Sequence, residues 1–191
     1  MRRTGTTLAT FLATVALTTA AISGCSSSDG RDEPEEPIEG VQTESAEPAE
    51  DDAAAAETEL ADLYDRYWAA VVQLENGAEL DPALFDGITT QRVTESELVR
   101  VRAFRDNGIQ RAGEPVIENV TIEVDGESAR IESCKNEADW DVVTSEGEAI
   151  PGVVPEELLV PHPHIVTAER SADGWLISET LAMEEARISC S

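Results

Sequence analysis

The sequence predicts an α+β protein, with helices first and an antiparallel sheet second. Three observations carry this. Between residues 57 and 107 the apolar positions recur at helical spacing. After Gly113 the period drops to two, and Asp-Gly pairs at 125–126 and 173–174 mark turns. The strands follow the helices instead of alternating with them, which separates this class from the parallel α/β folds. A length of 191 residues allows one modest domain plus extensions. The 13 basic and 40 acidic residues give a net charge of −27. Such a surface repels nucleic-acid phosphates and anionic lipid, so no nucleic acid is expected as a partner. The acidity itself reads as a solvated surface.

The first elements are not part of the fold. Arg2 and Arg3 precede an uncharged run, Leu8 to Ile22, with the length and polarity of a signal-peptide core. The run is short for a membrane-spanning helix. "RRTGT" lacks the apolar pair of a twin-arginine signal, so ordinary export is expected. Ile22-Ser23-Gly24-Cys25 resembles the lipobox of bacterial lipoproteins: an aliphatic residue, two small residues, then cysteine. The resemblance implies a signal peptide over 1–24, cleavage between Gly24 and Cys25, and a diacylglyceryl thioether on Cys25. Two acyl chains bury enough methylenes, at about 0.8 kcal/mol each, to hold a protein on a membrane. The expected location is the outer face of a bacterial cell membrane.

With Cys25 assigned to lipid, two of the three cysteines remain, Cys134 and Cys190. Outside the cytoplasm this even pair is expected to form a disulfide. The two are 56 positions apart, which corresponds to roughly 4 kcal/mol of chain-entropy stabilisation. Two separate buried thiols are the alternative. Residues 25–56 are rich in Ser, Glu, Asp, Pro and Ala and hold almost no large apolar side chain. They cannot bury enough surface to offset ordering, so they are expected to be a disordered tether, with ends roughly 30 Å apart or more. The alanine run at its end can extend the next helix backwards.

The domain is expected over 57–191. "ETELADLYDRYWAAVVQLENG" is an amphipathic helix with Leu60, Leu63, Tyr64, Tyr67, Val71 and Leu74 on one face and Trp68 at its edge. Acids in its first turn suit the helix dipole, and Asn76-Gly77 stops it. Tyr64, Tyr67 and Trp68 could line a ligand cavity, although helical aromatic stripes more often fill a core. "DPALFDG" suggests a short helix capped by Asp81, with Pro82 in its first turn. "TTQRVTESELVRVRAFRDNG" gives a second long helix with Leu98, Val101 and Phe104 inward; its start is open between Thr89/Thr90 and a Thr94–Glu97 capping box. Its arginines, 92, 100, 102 and 105, flank the stripe on both sides. That favours charge compensation and rim coverage over an anion site.

"PVIENVTIEVDGESARIESC" reads as a hairpin with Asp125-Gly126 at the turn. That register places Ile122 opposite Ala129, Val120 opposite Ile131 and Ile117 opposite Cys134. Cys134 then lies on the face away from the core, from which Cys190 is expected to approach. "ADWDVVTSEG" supplies a strand with Trp140 and Val142 on one side. "EAIPGVVPEELLVPHP" is a proline-broken loop, and His162-Pro163-His164 reads as a rigid surface turn. A last hairpin turns near Asp173-Gly174, with Trp175, Ile177, Leu181 and Met183 inward and Glu179 interrupting them.

This order resembles the nuclear transport factor 2-like fold, and in particular small secreted lipoproteins of actinobacteria with that fold. The stretches that carry the resemblance are "YDRYWAAVV", "RAGEPVIENVTI", "ARIESCKNEADWDVV" and "DGWLISETLAMEEARISC". A cysteine followed by an acid and tryptophan, with another cysteine at the C-terminus, is matched by Cys134, Asp139, Trp140 and Cys190. The resemblance implies a cone: a curved antiparallel sheet wrapped over the N-terminal helices, with a pocket at the open end. Relatives of that fold include isomerases, dehydratases and non-enzymes, so the fold assigns no reaction.

No catalytic motif stands out. Serine and cysteine nucleophile motifs, Gly-rich phosphate loops and paired CxxC motifs are absent, and the two histidines fix no third metal ligand. The sequence therefore implies no metal and no cofactor. The leading expectation is a non-catalytic, membrane-anchored envelope module. It would bind a protein partner or a small apolar ligand, with Tyr64, Tyr67, Trp68 and Trp140 as ligand contacts. The alternative is an isomerase- or dehydratase-like enzyme using Asp139 or Asp141 as base and Tyr64 or Tyr67 as donor.

Overall fold

In a computed structural model, the described residues are 50–77 and 79–191. The signal peptide, Gly24, Cys25 and residues 25–49 of the tether lie outside them. Two helices, α1 (Glu50–Glu75) and α2 (Gln91–Asp106), pack on a curved antiparallel sheet of order β2-β3-β5-β6. Its strands are β2 (Val116–Asp125), β3 (Ser128–Asn136), β5 (His162–Ser171) and β6 (Gly174–Leu181). A separate two-stranded ladder joins β1 (Ile109–Gly113) to β4 (Trp140–Thr144). The α+β class expected from the sequence is the class found. No helix among the described residues is long and apolar enough to cross a membrane.

Helix α1 begins at Glu50, so residues 50–56 are helical and do not belong to a tether reaching to 56. Alanine has the highest helix propensity, and burial of Ala56 against the core adds to it. The stripe read from the sequence is the buried one: Leu60, Leu63, Tyr64, Tyr67, Trp68, Val71 and Leu74 are at most 9% exposed. It packs on Ala129, Ile131, Val166, Ala168, Trp175 and Ile177 from the inner face of the sheet. Gly77 (φ 105°) terminates α1 as expected. Asn76 then ties the helix end down, donating to the Gly113 carbonyl (2.7 Å) and accepting from Trp140 Nε1 (3.0 Å).

The expected short helix is a 3₁₀ turn, Pro82–Phe85, capped by Asp81, whose carboxylate accepts from Ala83 N–H (2.9 Å). Helix α2 starts at the earlier of the two expected places, with Thr90 as N-cap. Its buried positions are Val93, Glu97 and Val101. The face is therefore rotated from the Leu98-centred stripe and holds an acid in its middle.

Strand β1 was not visible in the sequence: the four residues between Gly108 and Gly113 show too little alternation. Gly113 (φ 92°) closes it where a Cβ would lie 2.1 Å from the Asp139 carbonyl oxygen, so only glycine permits β1 and β4 to meet there. Strand β4 does not sit between β3 and β5; the long 145–161 connection lets β5 return directly alongside β3.

In the first hairpin the two-residue loop is Gly126-Glu127, one residue later than expected. Gly126 takes φ 62° at the first loop position, the type II′ requirement. The pairs become Ile122–Ile131, Val124–Ala129 and Glu118–Cys134. A bulge between Glu118 and Thr121, with Asn119 at φ 53°, turns Val120 outward. The second hairpin turns through Ala172-Asp173, since Ser171 pairs with Gly174. Trp175 and Ile177 are buried as expected. A bulge opposite Thr167/Ala168 then shifts the alternation, leaving Leu181 half-buried and Met183 exposed.

The C-terminal segment covers part of the outer face of the sheet. Glu132, 4% exposed, accepts from the backbone N–H groups of Arg187 (3.2 Å) and Ile188 (3.1 Å). Cys190 reaches Cys134 on that face and the two form a disulfide, Cα atoms 5.6 Å apart. Peptide mapping without reductant is expected to recover 134 joined to 190. Cys190→Ser should cost about 4 kcal/mol in urea unfolding, since it frees the 56-residue loop in the unfolded chain. An unchanged midpoint would contradict that role.

Candidate functional site

The inner row of β3 runs Ala129, Ile131, Ser133, Lys135, then Glu137 just past the strand. It changes from apolar to charged along one face. The apolar half builds the core; the polar half opens on a cavity of about 420 Å³. α1 contributes Tyr67, Trp68, Val71 and Glu75; α2 gives Glu97, Arg100 and Phe104. β1 and β4 give Ile109, Arg111, Trp140 and Val142, and the proline-broken loop closes one side with Val153, Val154, Pro155 and Leu158.

Six charged side chains line this space as an alternating series. Tyr67 Oη donates to Glu97 (3.1 Å). Glu97 is paired with Arg100, and Arg100 with Glu75 (2.7 Å). Glu75 lies 3.6 Å from Arg111; Arg111 is paired with Glu137, and Glu137 with Lys135 (2.7 Å). The three cations and three carboxylates cancel. The Arg111 guanidinium also stacks on Trp140 at 4.2 Å, and the Lys135 ammonium lies 5.6 Å from the Trp68 ring centre. Burial pushes the Glu75 carboxyl above its ordinary range, with Arg100 and Arg111 opposing. Burial also acts on Glu137, but Lys135 and Arg111 outweigh it and hold that carboxyl below the usual value. The Tyr67 hydroxyl is raised well above normal by burial and by Glu97.

Beside this series runs a neutral hydrogen-bonded chain. Buried Ser133 Oγ and Tyr64 Oη lie 2.7 Å apart, and Tyr64 Oη lies 2.8 Å from His164 Nδ1. The His164 ring lies tilted against Trp68, ring centres 4.8 Å apart. Burial, with Lys135, His162 and Arg100 nearby, lowers its pKa from 6.5 to about 3. His162 and His164 are therefore not a surface turn. Both lie on β5, where the sheet has a free edge beyond the last β5–β6 pair, Ile165–Leu181, and so accommodates Pro163. His162 is buried, with Nδ1 3.0 Å from the Val160 carbonyl oxygen. No cluster of three metal-ligating side chains occurs among the described residues.

Of the four expected ligand contacts, Tyr67, Trp68 and Trp140 line the cavity, while Tyr64 stands behind His164. Asp139 and Asp141, the bases considered for an enzyme, are exposed and do not line it: Asp139 just precedes β4, and Asp141 alternates on β4 with the inward Trp140 and Val142. Arg100, itself exposed on one side, is an ion-pair partner at the cavity and not merely rim cover, whereas Arg92 and Arg102 do not line it. The sequence did not point to Glu75, Glu97, Arg111, Lys135, Glu137 or His164. One signal was available: Glu97 sits at i+4 and i−4 from Val93 and Val101, inside an apolar stripe.

No protein-family model matches the chain, and no curated protein matches it. Among solved structures it is similar to the Kfla4162 protein of Kribbella flavida, at 16% identity over 71% of this chain and 99% of that one, TM-score 0.42. It is similar to a candidate dehydratase of the NTF2-like family from Streptomyces avermitilis, at 10% identity over 69% and 99%, TM-score 0.41. An NTF2-like protein with a cystatin-like fold from Novosphingobium aromaticivorans shares 14% identity over 73% and 89%, TM-score 0.41. These likenesses concern the fold and assign no activity.

The pKa of His164 gives a signed expectation. As pH falls from about 6.5 towards 3, the unfolded chain takes up the imidazole proton and the folded chain does not. Stability is then lost on acidification by up to about 1.4 kcal/mol per pH unit. Urea unfolding at pH 6.5 and pH 4.5 should show a steeper loss in the wild type than in His164→Gln. Equal slopes would mean that the imidazole is protonated in the native state.

Proposed function

We propose that the chain is an exported, lipid-anchored protein whose domain binds a small ligand with an apolar body in the cavity between α1, α2 and β4. The observation that carries the binding reading is the state of the cavity's charges. About 420 Å³ of space is lined by aromatic and aliphatic side chains, and every carboxylate there is held by a cation. A general base needs a free lone pair and a pKa near the working pH. Glu97 and Glu137 have both carboxylate oxygens on donors, Glu75 is held through one oxygen by Arg100 with Arg111 3.6 Å from the other, and a histidine with a pKa of about 3 is a weak base. The features that favour binding are those of small-molecule sites, with an apolar wall and a few convergent polar groups.

The anchoring half of the proposal rests on Ile22-Ser23-Gly24-Cys25 and on the disulfide-bonded domain behind it. A low-complexity acidic segment between the two would let the domain work away from the bilayer.

Two measurements test these halves separately. Nile red, a neutral apolar dye, should bind the full chain and gain fluorescence, and Val142→Trp, which fills the cavity from β4, should weaken binding at least tenfold. Equal binding by this variant would exclude the cavity. Cys25→Ser should move the protein from the membrane to the aqueous fraction or stall its processing, and continued membrane association with normal cleavage would defeat the anchor.

A further inference from the structure

One wall of the cavity is built differently from the rest. Most of the lining comes from helices and strands, and its charged side chains are tied to one another in the alternating series. The remaining wall is the connection between β4 and β5, which contributes Val153, Val154, Pro155 and Leu158. Among the described residues, no backbone hydrogen bond joins residues 151–157 to any part of the domain outside this connection. The chain is held where the segment begins and ends. Ile150 N–H donates to the Val142 carbonyl (2.9 Å), and the Leu158 carbonyl accepts from Glu137 N–H (3.0 Å). Between these anchors the segment stiffens itself. Pro151 followed by Gly152 at φ 75° matches a type II turn. Pro155 precedes the 3₁₀ turn Glu156–Leu158, where Leu158 N–H donates back to the Pro155 carbonyl (3.0 Å). A self-stiffened segment on two anchors has the build of a hinged flap.

The apolar side chains of this segment are only partly covered. Val153 is 47% exposed, and Val154 and Leu158 are half-buried. Phe104 near the end of α2 and Ile109 at the start of β1 line the same cavity and are half-buried too. Five apolar side chains around one space therefore keep contact with water, and removing them from it is favourable. A ligand draws a flap down only through contacts that the open position lacks. These side chains supply such contacts. Resting on the ligand-binding reading above, we propose that residues 151–158 are a flap that moves inward over an apolar ligand and buries Val153, Val154 and Leu158 against it. The position described above is the open one.

The test is proteolysis of the full chain by a glutamate-specific endopeptidase, with and without saturating Nile red, read site by site by mass spectrometry. Glu156 and Glu157 are exposed on the flap, and Glu127, exposed in the turn of the first hairpin, is the internal control. Cleavage tracks the open population, so the dye should slow cutting at 156 and 157 about tenfold and leave 127 unchanged. Stopped-flow mixing should give an observed rate that levels off as dye concentration rises, the mark of a closing step after capture. Val153→Ser with Val154→Ser should weaken dye binding about fivefold and remove the protection at 156 and 157 at full saturation. Should that pair lower the thermal midpoint, Val153→Ser alone gives the same comparison at the more exposed position. Unchanged cutting at 156 and 157 with dye bound, or a rate that climbs linearly throughout, overturns the flap and leaves ligand binding standing. Failure of Nile red to bind overturns the ligand-binding reading, and the flap with it.

Discussion

The alternating series Glu97–Arg100–Glu75–Arg111–Glu137–Lys135 is the constraint on which the rest of the domain's open end depends. Arg111, Glu75 and Glu137 are each less than a tenth exposed, and an unpaired charge at such a depth costs several kcal/mol. The series is drawn from both helices, β1, β3 and the turn after β3. It therefore fixes five segments against one another. It also prevents collapse: apolar side chains alone would pack until the space was gone, whereas ion pairs hold their partners at set distances.

The core and the cavity are two halves of one surface. Along α1 the stripe passes from Leu60 and Leu63 through Tyr64, Tyr67 and Trp68 to Glu75, and along β3 from Ala129 and Ile131 through Ser133 to Lys135. Both elements run from apolar to ionised in the same direction, so the sheet and helix close tightly at one end and part at the other. Tyr64 stands at the boundary. Its ring packs in the core, while its hydroxyl, raised in pKa by burial, links Ser133 to His164. The opposite face of the sheet is covered in part by the C-terminal segment, on Glu132 and Cys134.

Much of this was legible from local pattern. The stripe of α1, the Asn-Gly stop, the Asp81 cap and the two hairpins depend on interactions within a few residues or on simple alternation. Register was less legible. In the first hairpin a two-residue turn placed one position later changed every cross-strand pair, and the bulge at Asn119 changed the face of Val120. Bulges relieve strain between whole strands, so no short window contains their cause. The charged series was the least legible part. In a chain with 40 acidic residues, three acids that matter are hidden among many that are only solvated.

The sequence by itself determined the class of the domain, its apolar faces, and which two cysteines remained to pair within it. Each of these follows from composition and from periods of 3.6 and 2, which a chain carries before it folds. Only the tertiary structure decided which polar groups meet. Lys135 and Glu137 are neighbours in sequence, but Arg111 joins them through the β1–β4 ladder, and His164 reaches Tyr64 across 100 residues. Whether a histidine in a proline-rich stretch is a surface turn or the wall of a cavity depends on what packs against it. That is a property of segments distant in the chain.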